Sequence, residues 1–126
     1  MQDRFKFRAW FKPEYREPIM LYDVEQTYDF MRGSPENVPE DCFGDVLADK
    51  DYIVMQCTGL KDKNGKLIYE GDIVVENWHG YIIGWNRASF DILDILSKKC
   101  YTISALCSEK SEVIGNIYEN KELLNG

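Results

Sequence analysis

The chain is poor in the residues that do chemistry near neutral pH. It has one histidine, His79, so any imidazole acid–base or nucleophile pair would rest on that residue. His79-Gly80 reads as a tight turn, which places the imidazole in solvent rather than beside a thiol. Cysteine stands at 42, 57, 100 and 107. No two form a C-x-x-C pair, and the gaps fit no zinc ribbon or finger. The expectation is reduced, buried thiols, with Cys57 and Cys100 inside strands. The chain also lacks G-x-x-x-x-G-K-[ST], G-x-G-x-x-G and G-x-S-x-G, the loops that cradle phosphates or raise a nucleophilic serine. No metal site, cofactor or catalytic residue is expected, and the chain reads as a non-enzyme. No apolar run approaches the ~20 residues of a membrane helix. Met1-Gln2-Asp3-Arg4-Phe5-Lys6 carries no signal-peptide core. A cytoplasmic protein with no membrane partner is the expectation.

What is present is apolar mass and uneven charge. Apolar residues make up 44% of 126, enough for a real core in one ordinary domain or two small subdomains. Net charge is −7, which argues against broad binding to phosphate backbones. Residues 1–16 carry +3, residues 17–51 carry −8 and residues 52–126 carry −2. The basic start (Arg4, Lys6, Arg8, Lys12, Arg16) is either a solvated strand face, a partner of the acidic segment, or a contact for an anionic ligand.

Arg4-Phe5-Lys6-Phe7-Arg8-Ala9-Trp10 alternates charge with apolar bulk. Period two predicts a half-buried strand with Phe5, Phe7 and Ala9 inward and Lys6 and Arg8 outward. Ile19–Tyr22 reads as a second strand. The stretch 26–51 is less regular; 40–49 suits a short helix after Pro39, with early acids at its N-terminus. From Tyr52 the chain reads as β. Strands are predicted over 52–57, 66–69, 72–78, 81–85, 89–93, 100–106 and 112–118, separated by turns at Asn64-Gly65, Glu70-Gly71 and His79-Gly80. Phe90 and Ile92, with Tyr101, Ile103 and Ala105, form inward registers. Asn120 is placed to cap a short helical tail at 121–124. The fold class is mainly β: an N-terminal β-containing subdomain (1–51) and a C-terminal SH3-like small β-barrel (52–126).

Five pieces of sequence then converge. They are Phe7-Arg8-Ala9-Trp10; Val54-Met55-Gln56 followed by Thr58-Gly59-Leu60-Lys61-Asp62; Asn64-Gly65-Lys66; Ile68-Tyr69-Glu70-Gly71-Asp72-Ile73-Val74; and Val113-Ile114-Gly115-Asn116-Ile117-Tyr118-Glu119-Asn120. Taken together and in this order, they resemble the YopX family, small proteins encoded largely by phages and prophages. The resemblance implies a two-part fold with an SH3-like barrel and a place among phage accessory proteins. It carries no catalytic residue onto this chain. The residues themselves explain the motif architecturally. Gly59, Gly65, Gly71 and Gly115 suit turns or bulges, and Asp62 and Asp72 suit local turn amides. Ile73, Val74, Ile114 and Ile117 are candidates to fill the barrel.

Two functional classes fit. The first is a non-catalytic, protein-binding and self-associating module. It would meet a host or phage protein, or a second copy, through an open β edge, the acidic segment (Asp41, Asp45, Asp49) or the aromatics Trp78, Tyr81 and Trp85. The second is a nucleic-acid-associated module using Arg4, Lys6 and Arg8 with the same aromatics as a stacking platform. A small hydrolase built on a thiol or on acid pairs such as Asp41/Asp45 or Asp91/Asp94 is the weakest reading.

Overall fold

The computed structural model describes residues 6–24, Leu47, 50–86 and 89–125. Asp41, Asp45 and Asp49, the helix expected over 40–49, and Cys42 lie outside the described residues. Among the described residues nine strands run in chain order: β1 (Phe7–Phe11), β2 (Ile19–Tyr22), β3 (Tyr52–Lys61), β4 (Leu67–Tyr69), β5 (Asp72–Glu76), β6 (His79–Asn86), β7 (Ser89–Asp94), β8 (Cys100–Thr102) and β9 (Glu112–Asn116). They form two antiparallel sheets, ordered β2-β1-β3-β4 and β8-β7-β6-β5-β9. The chain is mainly β, as its alternating patterns predict, and its curled sheets include a half-barrel.

β3 belongs to both halves of the first sheet. Tyr52 to Gln56 pair with β1, and Cys57 and Lys61 pair with β4 across a register shift. The strand predicted over 52–57 therefore runs on to Lys61, with Gly59 inside the irregular stretch. The Thr58 hydroxyl donates to the Ile68 carbonyl at 2.8 Å and accepts from the Leu60 amide at 3.1 Å, which steadies the irregular stretch.

The turn that follows was legible in detail. Asp62 Oδ1 accepts from the amides of Asn64 and Lys66, each at 2.9 Å. Its other oxygen reaches across the molecule to the Val113 amide, also at 2.9 Å. One buried carboxylate thus shapes the β3–β4 turn and pins β9 to it. Burial opposes its ionisation, but these amides, aided by the positive charge of Lys66, outweigh that and hold Asp62 below the usual carboxylate range.

Two apolar cores result. Ala9, Leu21, Val24 and Tyr52 form one, with Phe7, Phe11, Ile19 and Val54 packed against it. Ile68, Val74, Ile83, Ile92 and Leu106 form the other, inside the curl of the second sheet. Ile73 and Val74 are fully buried, as expected, but Ile114 is 42% exposed. The β5–β9 register explains this: Ile73 faces Gly115 and Val74 faces Val113, so Ile114 is the extra, outward residue of a bulge. The strand expected over 100–106 ends at Thr102, and Ile103–Ala105 form a 3₁₀ turn. That change of period turns Ala105 outward, leaves Tyr101 43% exposed and buries Leu106 instead. Cys57 is buried, whereas Cys100 and Cys107 are exposed. Cys100 sits on a short edge strand exposed at every residue, where strand membership gives no cover.

A buried ion pair fastens the first strand to the second sheet. Arg8 is 2% exposed, and its Nη2 lies 2.8 Å from Asp72 Oδ1, itself buried. The same nitrogen donates to the Glu70 carbonyl at 3.1 Å, and the guanidinium lies over the Tyr69 ring, 4.8 Å from its centre. Asp72 Oδ2 accepts from the Tyr69 amide at 2.8 Å. Burial pushes the Asp72 carboxyl up, against the pull of Arg8 and that amide. Arg8 is therefore not on a solvated face. β1 is covered on both sides, by the first core and by this junction. Gly71, at φ +88°, permits the crossing: a Cβ there would lie 3.1 Å from Met55 Sδ and 3.7 Å from Arg8 Nη2. Trp10 stacks on Tyr118 with ring centres 5.7 Å apart, adding a second tie between the first strand and the C-terminal segment.

After β9, Asn116 Oδ1 accepts from the amides of Tyr118 and Glu119, and Asn120 Oδ1 accepts from the Asn116 amide. Asn120 thus turns its side chain back onto β9 instead of capping the 3₁₀ segment Lys121–Asn125. Gly115 leaves room for it, since a Cβ there would stand 2.5 Å from Asn120 Oδ1.

Candidate functional site

The β5–β6 hairpin reverses at Asn77-Trp78, because Glu76 pairs with His79 and Val75 with Gly80. The turn expected at His79-Gly80 lies two residues earlier, and both those residues belong to β6. Asn77 (φ 51°) and Trp78 (φ 71°) both occupy the left-handed region, as a two-residue hairpin whose twist matches its strands requires. Asparagine tolerates that backbone. Tryptophan does not, and glycine is the residue the second position favours. The indole does not offset the strain by packing, for Trp78 is 97% exposed.

The neighbouring β7–β8 turn stands beside it. The Ile95 amide donates to the Gly80 carbonyl at 3.0 Å, joining the β7–β8 turn to the start of β6. Asp94 Oδ1 accepts from the amides of Leu96 and Ser97 at 2.9 and 3.2 Å, and the Lys98 amide donates to the Asp94 carbonyl. These bonds fix a turn that presents Leu96, 72% exposed. The Ser97 amide, the Leu96 amide and the nearby His79 hold the Asp94 carboxyl below its usual range, against a smaller opposing effect of burial. His79 Nδ1 is 3.8 Å from Asp94 Oδ2, and its ring lies 6.3 Å from that of Tyr81. Glu76 accepts from the Cys107 amide at 2.7 Å. Burial, then Asp94, Glu76 and Tyr101, push the Tyr81 hydroxyl up, so it stays a neutral phenol.

The end of the curled sheet is thus a platform braced by hydrogen bonds. It offers two apolar side chains to solvent, backed by carboxylates already engaged in holding the turns. The one imidazole has a carboxylate neighbour and, among the described residues, is not hydrogen-bonded to a thiol. Among the described residues no cluster of His, Cys, Asp and Glu has the arrangement of a metal site. No helix among them is long and apolar enough to cross a membrane.

Of the residues singled out in the sequence, Tyr81 and Trp85 share one face of β6, with the buried Ile83 between them. Trp85 is 46% exposed and meets Phe90 edge-on at 4.6 Å, at the strand end opposite Trp78. Trp78 itself stands in the turn. Leu96 was not picked out, and Asp94 was named only with Asp91 as an acid pair, not as the residue that shapes this turn. The available signal was Asp94 followed by Ser97-Lys98-Lys99, an acid with a polar turn after it.

An antiparallel β module of two curled sheets, joined by a buried ion pair and carrying an aromatic turn, is the class these features define. The chain belongs to the YopX family, whose model, described as YopX protein, matches residues 6–125. It is similar to protein EF1440 from Enterococcus faecalis, known as a crystal structure. Identity is 32%, 94% of this chain and 96% of that one are covered, and the TM-score is 0.57. No curated protein matches the chain.

Proposed function

We propose that this YopX-family chain is a non-catalytic, self-associating protein-binding module of phage or prophage origin, acting inside the host cell and engaging its partner through Trp78 and Leu96. The observation that carries the reading is Trp78, a bulky residue held at positive φ and almost wholly in water. Strained backbone at a bulky residue is retained where the surroundings over-determine it, and such positions cluster at functional sites. Tryptophan is also among the side chains that dominate protein interfaces. The first partner to consider is a second copy. β8 forms one edge of the five-stranded sheet, and all three of its residues are exposed, leaving main-chain groups open to pairing.

Sedimentation of the wild-type chain and of Trp78→Gly over a concentration series tests this. Concentration-dependent assembly that Trp78→Gly abolishes supports it. A wild-type monomer throughout, together with a host lysate from which the immobilised wild type captures nothing that Trp78→Gly fails to capture, overturns it. The nucleic-acid reading loses Arg8, which is committed to Asp72 inside the protein. A gel shift at low salt that disappears on Lys6→Ala would restore it.

A further inference from the structure

A second feature lies apart from the aromatic turn. Between the β1–β2 hairpin and the β3–β4 turn is a cleft of about 370 Å³, lined among others by Lys6, Arg8, Tyr22, Asp23, Lys66 and Tyr69. The chain carries a net charge of −7, yet here the balance reverses. Three cations line the cleft against one carboxylate. Arg8 is neutralised by Asp72. Lys6 and Lys66 form no ion pair with any described residue.

The cleft is also built rather than incidental. Arg8 contributes to its wall while almost wholly buried, so its guanidinium is fixed before anything binds. Its Nε has no hydrogen-bond partner among the described residues, an omission that is costly in a buried group. Tyr22 lies directly across from Arg8 in the β1–β2 register and meets Tyr69 edge-on at 6.0 Å. Arg8 covers a face of Tyr69, whereas Tyr22 is 37% exposed and keeps aromatic surface for a ligand. Asp23, at φ 56°, follows directly and adds an acceptor.

Two ammonium groups that make no ion pair with a described residue attract a compact anion. An exposed ring stacks on a flat heterocycle, and a carboxylate accepts from hydroxyl groups. The volume falls at the lower end of the ~300–1,000 Å³ of small-molecule sites, too small for more than a single unit of a polymer. We propose that this cleft binds a small phosphorylated ligand of the nucleoside monophosphate class. The phosphate meets Lys6 and Lys66, the base packs on Tyr22, and the sugar hydroxyls donate to Asp23.

Calorimetric titration of the full chain with AMP, adenosine and inorganic phosphate, at low and moderate salt, tests it. The proteins are the wild type, Lys6→Ser/Lys66→Ser, Tyr22→Ser and Trp78→Gly. AMP is expected to bind the wild type and Trp78→Gly alike, which separates this site from the aromatic turn. The double lysine variant should lose about tenfold or more in affinity, with its melting temperature near that of wild type because both lysines are solvent-accessible. Adenosine and phosphate should each bind more weakly than AMP. Three results overturn the proposal: no heat with AMP at low salt, AMP affinity unchanged by the lysine substitutions, or phosphate binding as tightly as AMP. A single-stranded oligonucleotide that binds through the same lysines while AMP does not would assign the cleft to a polymer and likewise refute it.

Discussion

Arg8 and Trp78 both stand on the wrong side of the usual polarity division, and in opposite ways. Arg8 is a charge inside the protein; Trp78 is the largest apolar side chain, and it lies almost entirely outside. The buried charge is surrounded by partners: Asp72, the Glu70 carbonyl and the Tyr69 ring. The exposed indole stands in a turn whose backbone it strains. A misplaced group held by an ion pair, a carbonyl and a ring holds a fold together. One that lacks partners, in a conformation that costs energy, points to something beyond the fold.

The sharpest way to break this comparison is at Arg8. Arg8→Ala leaves the Asp72 carboxylate buried without its counter-charge and should destabilise the chain by about 3–5 kcal/mol, read from urea unfolding. The double variant Arg8→Met/Asp72→Leu should recover most of that loss, since an apolar pair of similar volume is often neutral. If the double variant is as unstable as the single, the pair does more than fasten two sheets.

Asp62 should come next. Asp62→Ala strands three amide donors and is expected to cost about 3 kcal/mol. Its pH dependence has a defined sign. The folded carboxyl ionises below its unfolded value, so the stabilisation is complete above about pH 4 and is lost as pH falls through the lowered value. Burial pushes Asp72 and Glu70 up, so their contributions have the opposite sign and decline as pH rises through their raised values. Wild-type urea midpoints should therefore fall more steeply than those of Asp62→Asn as pH drops below about 4. Parallel slopes would remove Asp62 as the acid-sensitive group.

A smaller loss, about 1–2 kcal/mol, is expected for Gly115→Ala, where the new methyl displaces Asn120 from the Asn116 amide. The smallest effect on stability belongs to Trp78→Gly. Glycine relieves the positive φ but adds freedom to the unfolded chain, and the two terms nearly cancel, leaving a change within about 1 kcal/mol. A variant that folds normally and no longer assembles would complete the contrast with Arg8. A loss of several kcal/mol would place Trp78 among the structural residues instead.

What the sequence revealed and what it hid follow from the range of each interaction. The Asp62–Lys66 turn was legible because its determinants lie within a few residues: an acid, Asn64-Gly65, and amides at short offsets. The strands were legible for the same reason, since period two is local. Arg8 was not. Strict alternation says that its face differs from that of Ala9, but not that a second sheet covers it. Trp78 was misplaced because glycine is the strongest turn signal nearby, and it drew the reversal to His79-Gly80. The actual turn carries asparagine and an atypical tryptophan. Ile114 was read inward because nothing in its own segment announces a bulge against β5. Asn120 pointed toward the tail by the usual capping logic, whereas its partner is the Asn116 amide behind it.

The Arg8 junction also has a consequence during synthesis. Its contact with Glu70 spans 62 residues, so at roughly 5–20 residues per second the arginine waits several seconds for its partners to be made. Meanwhile β1 and β2 are able to pair, and Arg8 places a positive charge on a face of that nascent hairpin that is later covered. An unmatched charge on a young strand discourages premature pairing with other chains. The same side chain would thus guard the hairpin before folding and lock it afterwards.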